Sequence, residues 1–230
     1  MKMNGNTILI TGGATGIGYS MAKYFCGHGN TVIICGRRKN KLAQAKKELP
    51  QIHTIQCDVT NPDDRTLLFN NISNNYPSMN ILINNAGVQR SIDLSNGLDA
   101  LSGGENEIRI NLEAPIFLSA LFTAFLSGKE NAAIVNVTSG LAFMLEQAAW
   151  CPVYSATKAG LHAFSITQRA QLAPLGIRII ELIPPMVESE LNPESRKGVT
   201  RENTPYMITS DDYAEKALAK MEQDIDEIKL

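Results

Sequence analysis

The sequence predicts an α/β fold of the doubly wound kind, one parallel sheet with helices on both faces, with residues 1–230 forming a single domain. Three observations carry this expectation. Short β-rich runs alternate with helical segments along the chain. The runs are almost continuously apolar, as strands buried on both faces are. The first run ends in a glycine-rich turn that opens a helix.

The runs are TILITGG, TVIICG, HTIQCDV, ILINNAG, AAIVNVTS and RIIELIPP, and the segments between them, such as 18–29 and 38–49, carry apolar residues at helical spacing. No repeat, low-complexity tract or Pro/Gly/Ser linker divides the pattern. A last helix over 211–223 leaves only 227–230 for another strand, so the final strand is expected to be missing, very short, or supplied by a partner chain. Two irregular stretches, 88–104 and 186–209, follow strand C-termini, where open α/β sheets bind ligands. Connections of such length are commonly functional. The second, with Pro193, Gly198 and Pro205, reads as a substrate lid.

Composition narrows the function classes. A formal net charge of −2 and a pI near 6.0 give no bulk attraction for nucleic acid or an anionic membrane. Cys26, Cys35, Cys57 and Cys151 form no C-x-x-C pair and have no histidine at metal-ligand spacing. They read as reduced core thiols, and no metal is expected. The first apolar stretch, 7–10, is too short for a signal segment and no apolar run approaches the roughly 18 residues of a membrane helix, so a cytoplasmic location is expected.

Thr11-Gly12-Gly13-Ala14-Thr15-Gly16-Ile17-Gly18 lies between the first strand and the first helix. Glycines allow a sharp turn and close approach of a ligand, and the helix N-terminus offers N–H groups to a pyrophosphate. Three glycines also suit a plain strand-to-helix turn. Dinucleotide sites that prefer NAD carry an acid about 20 residues downstream. Here the second strand ends Cys35-Gly36-Arg37-Arg38, with no acid and two arginines. A 2′-phosphate suits a forked guanidinium, so NADP(H) is expected over NAD(H), with Arg37 as its ligand. The bland alternative, two solvated arginines at a helix start, runs against the helix dipole. Asp58, beside Val59, can accept from an adenine amino group or belong to the helix start at Asn61-Pro62. Asn84-Asn85-Ala86-Gly87 ends the fourth strand, where asparagines tie loops together and small residues admit a cofactor ribose.

Tyr154 and Lys158 stand four apart on a helix expected over 153–173, on one face. A free phenol titrates near 10, and a neighbouring cation favours its ionised form, which makes the pair a tuned acid/base. Such a pair is common by chance. Ser139, at the end of the fifth strand, adds a hydroxyl that can bind a substrate carbonyl oxygen. Alternation points Thr138 the other way. Asn111 is a poor helix former within an otherwise apolar helical stretch, 107–126.

T-G-x-x-x-G-I-G, N-N-A-G, an Asn, a Ser and Y-x-x-x-K in this order resemble the short-chain dehydrogenase/reductase family over essentially 7–189. The stretches 138–143 and 152–159 are most similar to a bacterial subgroup associated by name with D-alanylation of teichoic acids, a name that establishes no substrate. The resemblance implies a Rossmann-type fold with Tyr154 as acid/base and Lys158 on the nicotinamide ribose, lowering the tyrosine pKa. It implies that Ser139 orients the carbonyl and that Asn111 holds a water linking Lys158 to solvent. Gly12, Thr15, Gly16, Ile17 and Gly18 would cradle the cofactor, with Asn85, Ala86 and Gly87 beside its ribose. One departure is plain: Pro184-Pro185-Met186-Val187 replaces the usual Pro-Gly, and proline removes a donor, which weakens the cofactor contacts implied for Pro184 and Val187.

Gln89, Arg90, Leu141, Phe143, Met144, Trp150 and Met186 are candidates for the substrate side, mostly apolar, which suits a lipophilic carbonyl or alcohol. Arg90 is a candidate for an anionic substrate group or a solvated loop residue. The expected activity is hydride transfer between NADP(H) and a small carbonyl or hydroxyl compound. A catalytically silent NADP(H) sensor or scaffold, or an isomerase or dehydratase with no net cofactor turnover, are the competing readings; an intact Ser/Tyr/Lys/Asn set argues against the silent one. Family resemblance further implies a homodimer or homotetramer, with 114–126 and 156–172 as its faces.

Overall fold

The computed structural model describes residues 1–191 and 204–230. Its centre is a seven-stranded sheet in the order β3-β2-β1-β4-β5-β6-β7, parallel throughout. The strands are β1 (Thr7–Thr11), β2 (Thr31–Gly36), β3 (His53–Gln56), β4 (Met79–Asn84), β5 (Ala133–Val137), β6 (Arg178–Ile183) and β7 (Glu227–Lys229). The order runs outward from β1 on one side and from β4 on the other. The loops leaving their C-terminal ends therefore diverge and open a crevice.

Strand alternation sorts the core into two layers. Ile8, Ile10, Val32 and Ile34 face one side and pack with α1 (Gly16–Gly27), α2 (Lys39–Glu48) and α6 (Ser210–Glu222). Leu9, Ile33 and Cys35 face the other and pack with α3 (Pro62–Asn75), α4 (Ala114–Leu126) and the C-terminal end of α5 (Pro152–Leu172). Both faces of the sheet are thus dry, which is why the strands read as continuous apolar runs. At the N-terminal ends of the strands, Asn80 Oδ1 accepts from Thr7 N at 3.1 Å and Asn80 Nδ2 donates to Asn6 Oδ1 at 3.0 Å. Asn131 Nδ2 donates to the same oxygen at 2.6 Å, so asparagines bind β1, β4 and β5 together at the end away from the crevice.

The helix starts differ in a way that bears on the site. Asn61 caps α3 by accepting from Asp63 N and Asp64 N, and Thr209 caps α6 by accepting from Asp212 N; both helices carry acids in the first turn. α1 and α2 have neither a side-chain cap nor a first-turn acid, and α2 opens on Arg38 and Lys39. Those two N-termini border the crevice.

Of the expectations for the last strand the very short form holds, and the expectation about apolar runs is corrected. The last strand is present and comes from the chain itself, with Leu182 of β6 opposite Ile228 of β7. It is short, three residues, because only Ile228 is buried. The stretch Arg109–Leu126 is also long and apolar enough for a membrane span by length and composition, with a mean hydropathy of 1.3, contrary to the reading that no run approaches that length. Arg109 and Glu113 interrupt it, and Leu118, Phe122 and Leu126 are buried against the sheet, so its apolarity belongs to a core helix. Within it, Arg109–Glu113 form a π-helical turn.

Ile228 is fully buried between β6 and α6. Ile228→Ala is expected to lower unfolding free energy by about 2–4 kcal/mol in urea titration. A variant as stable as the parent would show that β7 is not integrated into the sheet.

Candidate active site

The crevice is closed at its base by one polar exchange. Thr11 Oγ1 accepts from the backbone N–H groups of Asn85 and Ala86, each at 3.0 Å, and Asn85 Nδ2 donates to Thr11 O at 2.9 Å and Gly12 O at 3.2 Å. This draws the glycine loop against the end of β4 and leaves no room for side chains. A Cβ on Gly12, whose φ is +63°, would stand 2.8 Å from Ala86 Cα; one on Gly18 would stand 2.5 Å from Asn85 Nδ2 and from Gly12 O. Gly16, at φ +55°, faces Ser189 of the segment after β6. Thr15 is the uncapped N-cap of α1, and Ile17 packs against the core below. The loop thus presents α1 N–H groups to the crevice with glycine backbone around them.

At the end of β2, Arg37, Arg38 and Lys41 gather. Arg37 pairs with Glu105, and Arg38 Nη2 donates to Thr15 Oγ1 at 3.2 Å. Arg38 Nη1 and Lys41 Nζ meet Glu190 at 3.2 and 2.7 Å. Asp58 makes a local turn: its Oδ1 accepts from Thr60 N at 2.9 Å and Thr60 Oγ1 at 2.8 Å, while its own N–H donates to Asp64 Oδ2 at 2.7 Å in α3. Both readings of Asp58 fit, since one carboxylate oxygen is engaged with the chain. Val59 is buried, and its carbonyl accepts from Arg65 Nη1 at 2.8 Å.

Tyr154 and Lys158 occupy the first half of α5 and are both buried. The Lys158 ammonium donates to Val137 O at 2.8 Å, which ties it to the strand leading into Ser139, and stands 5.8 Å from the Tyr154 ring centre. Burial pulls the lysine pKa down to about 8. Asn111 sits in the π turn before α4. Its Oδ1 accepts from Val88 N at 2.9 Å, and its Nδ2 donates to Val88 O at 2.8 Å and Thr157 Oγ1 at 3.2 Å. Asn111 Oδ1 and Lys158 Nζ lie 3.4 and 3.6 Å from where a Cβ on Gly87 would stand, so glycine keeps the space between them open.

Ser139 Oγ accepts from Leu141 N at 3.2 Å, which leaves its proton to donate. Thr138 points the opposite way, as strand alternation requires, and donates to Glu181 Oε1 at 2.6 Å. Glu181, fully buried in β6, also meets His162 Nδ1 of α5 at 2.9 Å. Sequence reasoning passed over Glu181 because it sits singly in an apolar run. His162, four after Lys158, was the available signal.

Arg90 is half-buried, and its guanidinium donates to Ala100 O at 3.4 Å and Glu105 O at 3.5 Å, stapling its own loop. Gln89 is buried, and its Nε2 reaches Cys151 Sγ at 4.0 Å. Glu107, unassigned from the sequence, accepts from Arg90 N at 2.9 Å, and burial raises its pKa. Leu141 packs beside Cys151 and Tyr154. Phe143, Met144 and Trp150 are exposed, Phe143 lying edge-on to His162; Met186 is half-buried. Gly140 N donates to Pro184 O at 2.9 Å, and Val187 forms a parallel bridge with Ile208. The expected lid lies in part, at 192–203, outside the described residues.

A family model described as short chain dehydrogenase matches residues 6–200. The chain is 47% identical over 230 residues to the uncharacterized oxidoreductase DltE of Bacillus subtilis (strain 168), covering 99% of this chain and 89% of that protein. It is 31% identical over 187 residues to the short chain dehydrogenase/reductase dpchG of Colletotrichum higginsianum, covering 78% of this chain and 68% of that one. Among solved structures, a short-chain dehydrogenase from Sphingobium yanoikuyae in complex with NADPH superposes with a TM-score of 0.77 at 27% identity, covering 96% of this chain and 86% of that one. The bulky-bulky ketone specific alcohol dehydrogenase from Comamonas testosteroni gives 0.77 at 25% identity, covering 97% and 85%. With its sheet order, its glycine crevice and its tyrosine and lysine on one helix face, the chain belongs to the short-chain dehydrogenase family, oxidoreductases that act on CH–OH and C=O groups with a nicotinamide cofactor.

Proposed function

We propose that the protein reduces a small, largely apolar carbonyl compound with NADPH and catalyses the reverse oxidation of the alcohol. The observation that carries this reading is the buried pair on α5: Tyr154 beside Lys158, whose ammonium is bound to the strand that ends in Ser139. The crevice residues fit a dinucleotide. Side chains at Gly12 and Gly18 would collide with the β4 loop, and the α1 N-terminus is uncapped toward the same space, which suits a pyrophosphate. Arg37 would take the 2′-phosphate, Asp58 and Val59 would border the adenine, Asn85, Ala86 and Gly87 would line the ribose side, and Pro184 and Val187 would hold the nicotinamide end.

When bound, the nicotinamide supplies or takes up the hydride. Ser139 donates its proton to the substrate oxygen and fixes the carbonyl, and the Tyr154 phenol delivers a proton to that oxygen as it becomes an alkoxide. Lys158, charged below about pH 8, favours the phenolate and eases that transfer. Reprotonation of Tyr154 runs through Lys158 and a water held near Asn111, in the space that Gly87 keeps open. Phe143, Met144 and Trp150, all exposed, form the apolar mouth. The protein is cytoplasmic and self-associates through α4 and α5, where Phe117 and Ile166 are exposed.

Tyr154→Phe should lower kcat for carbonyl reduction by about 10²-fold or more while changing the NADPH dissociation constant less than about threefold; full activity in the variant would remove Tyr154 from the reaction. The unaltered enzyme should bind NADPH about tenfold or more tighter than NADH in fluorescence titration, and equal affinities would overturn the 2′-phosphate assignment.

Lys158 also leaves a mark on stability. Its pKa falls from 10.5 to about 8 on folding. Between those values the unfolded chain holds the proton more tightly, so stability rises with pH through that window and the full cost of burying the charge is felt below it. Lys158→Met should therefore be inactive yet more stable at pH 7 by about 1–3 kcal/mol in chemical denaturation, with the rise above pH 8 lost. A less stable variant would contradict this account.

A further inference from the structure

The cations at the end of β2 are met by two carboxylates that arrive from opposite sides of the crevice. Glu105 belongs to the loop between β4 and α4, and Glu190 to the segment after β6. Glu105 Oε1 pairs with Arg37, and its Oε2 is buried with no hydrogen-bond partner. Glu190 divides its two oxygens between Lys41 Nζ at 2.7 Å and Arg38 Nη1 at 3.2 Å. Arg38 is bound in turn to Thr15 of the glycine loop. In the sheet, β1 lies between β2 and β4, with β6 beyond. Both ion pairs therefore span the C-terminal end of β1, the side on which the glycine loop would hold a dinucleotide.

A carboxylate and a phosphate compete for the same donors, since both are planar or tetrahedral oxyanions suited to a guanidinium fork or an ammonium. The start of α2 carries no acid of its own, so in the structure the charge of Arg37, Arg38 and Lys41 is balanced by residues from these two distant segments. We infer that Glu105 and Glu190 are specificity-determining residues that occupy the 2′-phosphate seat in competition with NADP(H), and that Arg38 and Lys41 belong to that seat together with Arg37. This rests on the NADP(H) reading above. A phosphate that enters must displace or share with both carboxylates, whereas the uncharged 2′-hydroxyl of NAD(H) leaves them in place. The two glutamates thus lower affinity for NADP(H) selectively, and the Glu190 contact to Arg38 and Lys41 is exchanged when the phosphate binds.

The test uses the full chain and two probes without a nicotinamide, 2′,5′-ADP and 5′-AMP, titrated by calorimetry into the parent, Glu190→Gln, Glu105→Gln and the double variant. Each single change should tighten 2′,5′-ADP about 2-fold to 5-fold and the double change about 5-fold to 20-fold, the range exposed ion pairs allow, with 5′-AMP unchanged. Unchanged or weaker 2′,5′-ADP binding in the variants would overturn the competition. So would equal tightening of both probes, which would locate the effect outside the 2′-phosphate. A parent that binds 2′,5′-ADP no better than 5′-AMP would instead overturn the NADP(H) reading itself, and this inference with it.

Discussion

The hydrogen bonds between Thr11 and Asn85 are the joint on which the rest of the site depends. Parallel strands of a doubly wound sheet send their connections away from the switch point, which leaves β1 and β4 with unpaired loop backbone at their C-terminal ends. One threonine hydroxyl accepts two of those N–H groups, and one asparagine amide satisfies two carbonyls. That exchange holds Gly12 within contact of Ala86 and so sets the width of the crevice. Side chains larger than hydrogen at Gly12 and Gly18 would wedge the two halves apart, so the glycine spacing follows from the joint as much as from any ligand.

A second constraint runs through α5. Lys158 is a cation buried in the core of a helix–sheet interface, an arrangement that costs stability and is retained where the charge has work to do. The carbonyl of Val137 offsets part of that cost, and the bond to it brings α5 and β5 into fixed relation. One residue past the end of β5, Thr138 is anchored to Glu181, which also receives His162 of α5, one turn on from Lys158. The end of β5 is therefore tied to α5 twice immediately before Ser139, and the serine hydroxyl inherits its position from these polar contacts.

Much of the fold could be read from the chain because its two periodicities are clean: period two along buried strands and helical spacing between them. The glycine loop, Tyr154, Lys158, Ser139 and Asn111 were visible for the same reason, since each occupies a place that local structure alone explains poorly. What escaped the reading depends on contacts between segments distant in sequence. Arg90 looked available because its partners are backbone carbonyls of a loop whose path no pattern encodes. Glu107 and Glu181 looked ordinary because burial of a lone acid is a tertiary fact. The last strand was doubtful because three residues with one buried side chain carry almost no periodicity. The length of the apolar helix around Asn111 was underrated because Arg109, Asn111 and Glu113 break its run in sequence while the helix itself continues to Leu126.

The π turn at Arg109–Glu113 holds one residue more than an α-helical path would need. Glu107 and Asn111 lie on either side of its entry, and together they grip the backbone N–H groups of Arg90 and Val88. Removing a single residue here would restore a regular helix and turn Glu107 by about 100° relative to α4, away from Arg90. The length of this segment is thus fixed to the residue, together with the two side chains that grip the loop. Where surface loops tolerate insertion and loss, this stretch has to preserve a count of residues as well as its side chains.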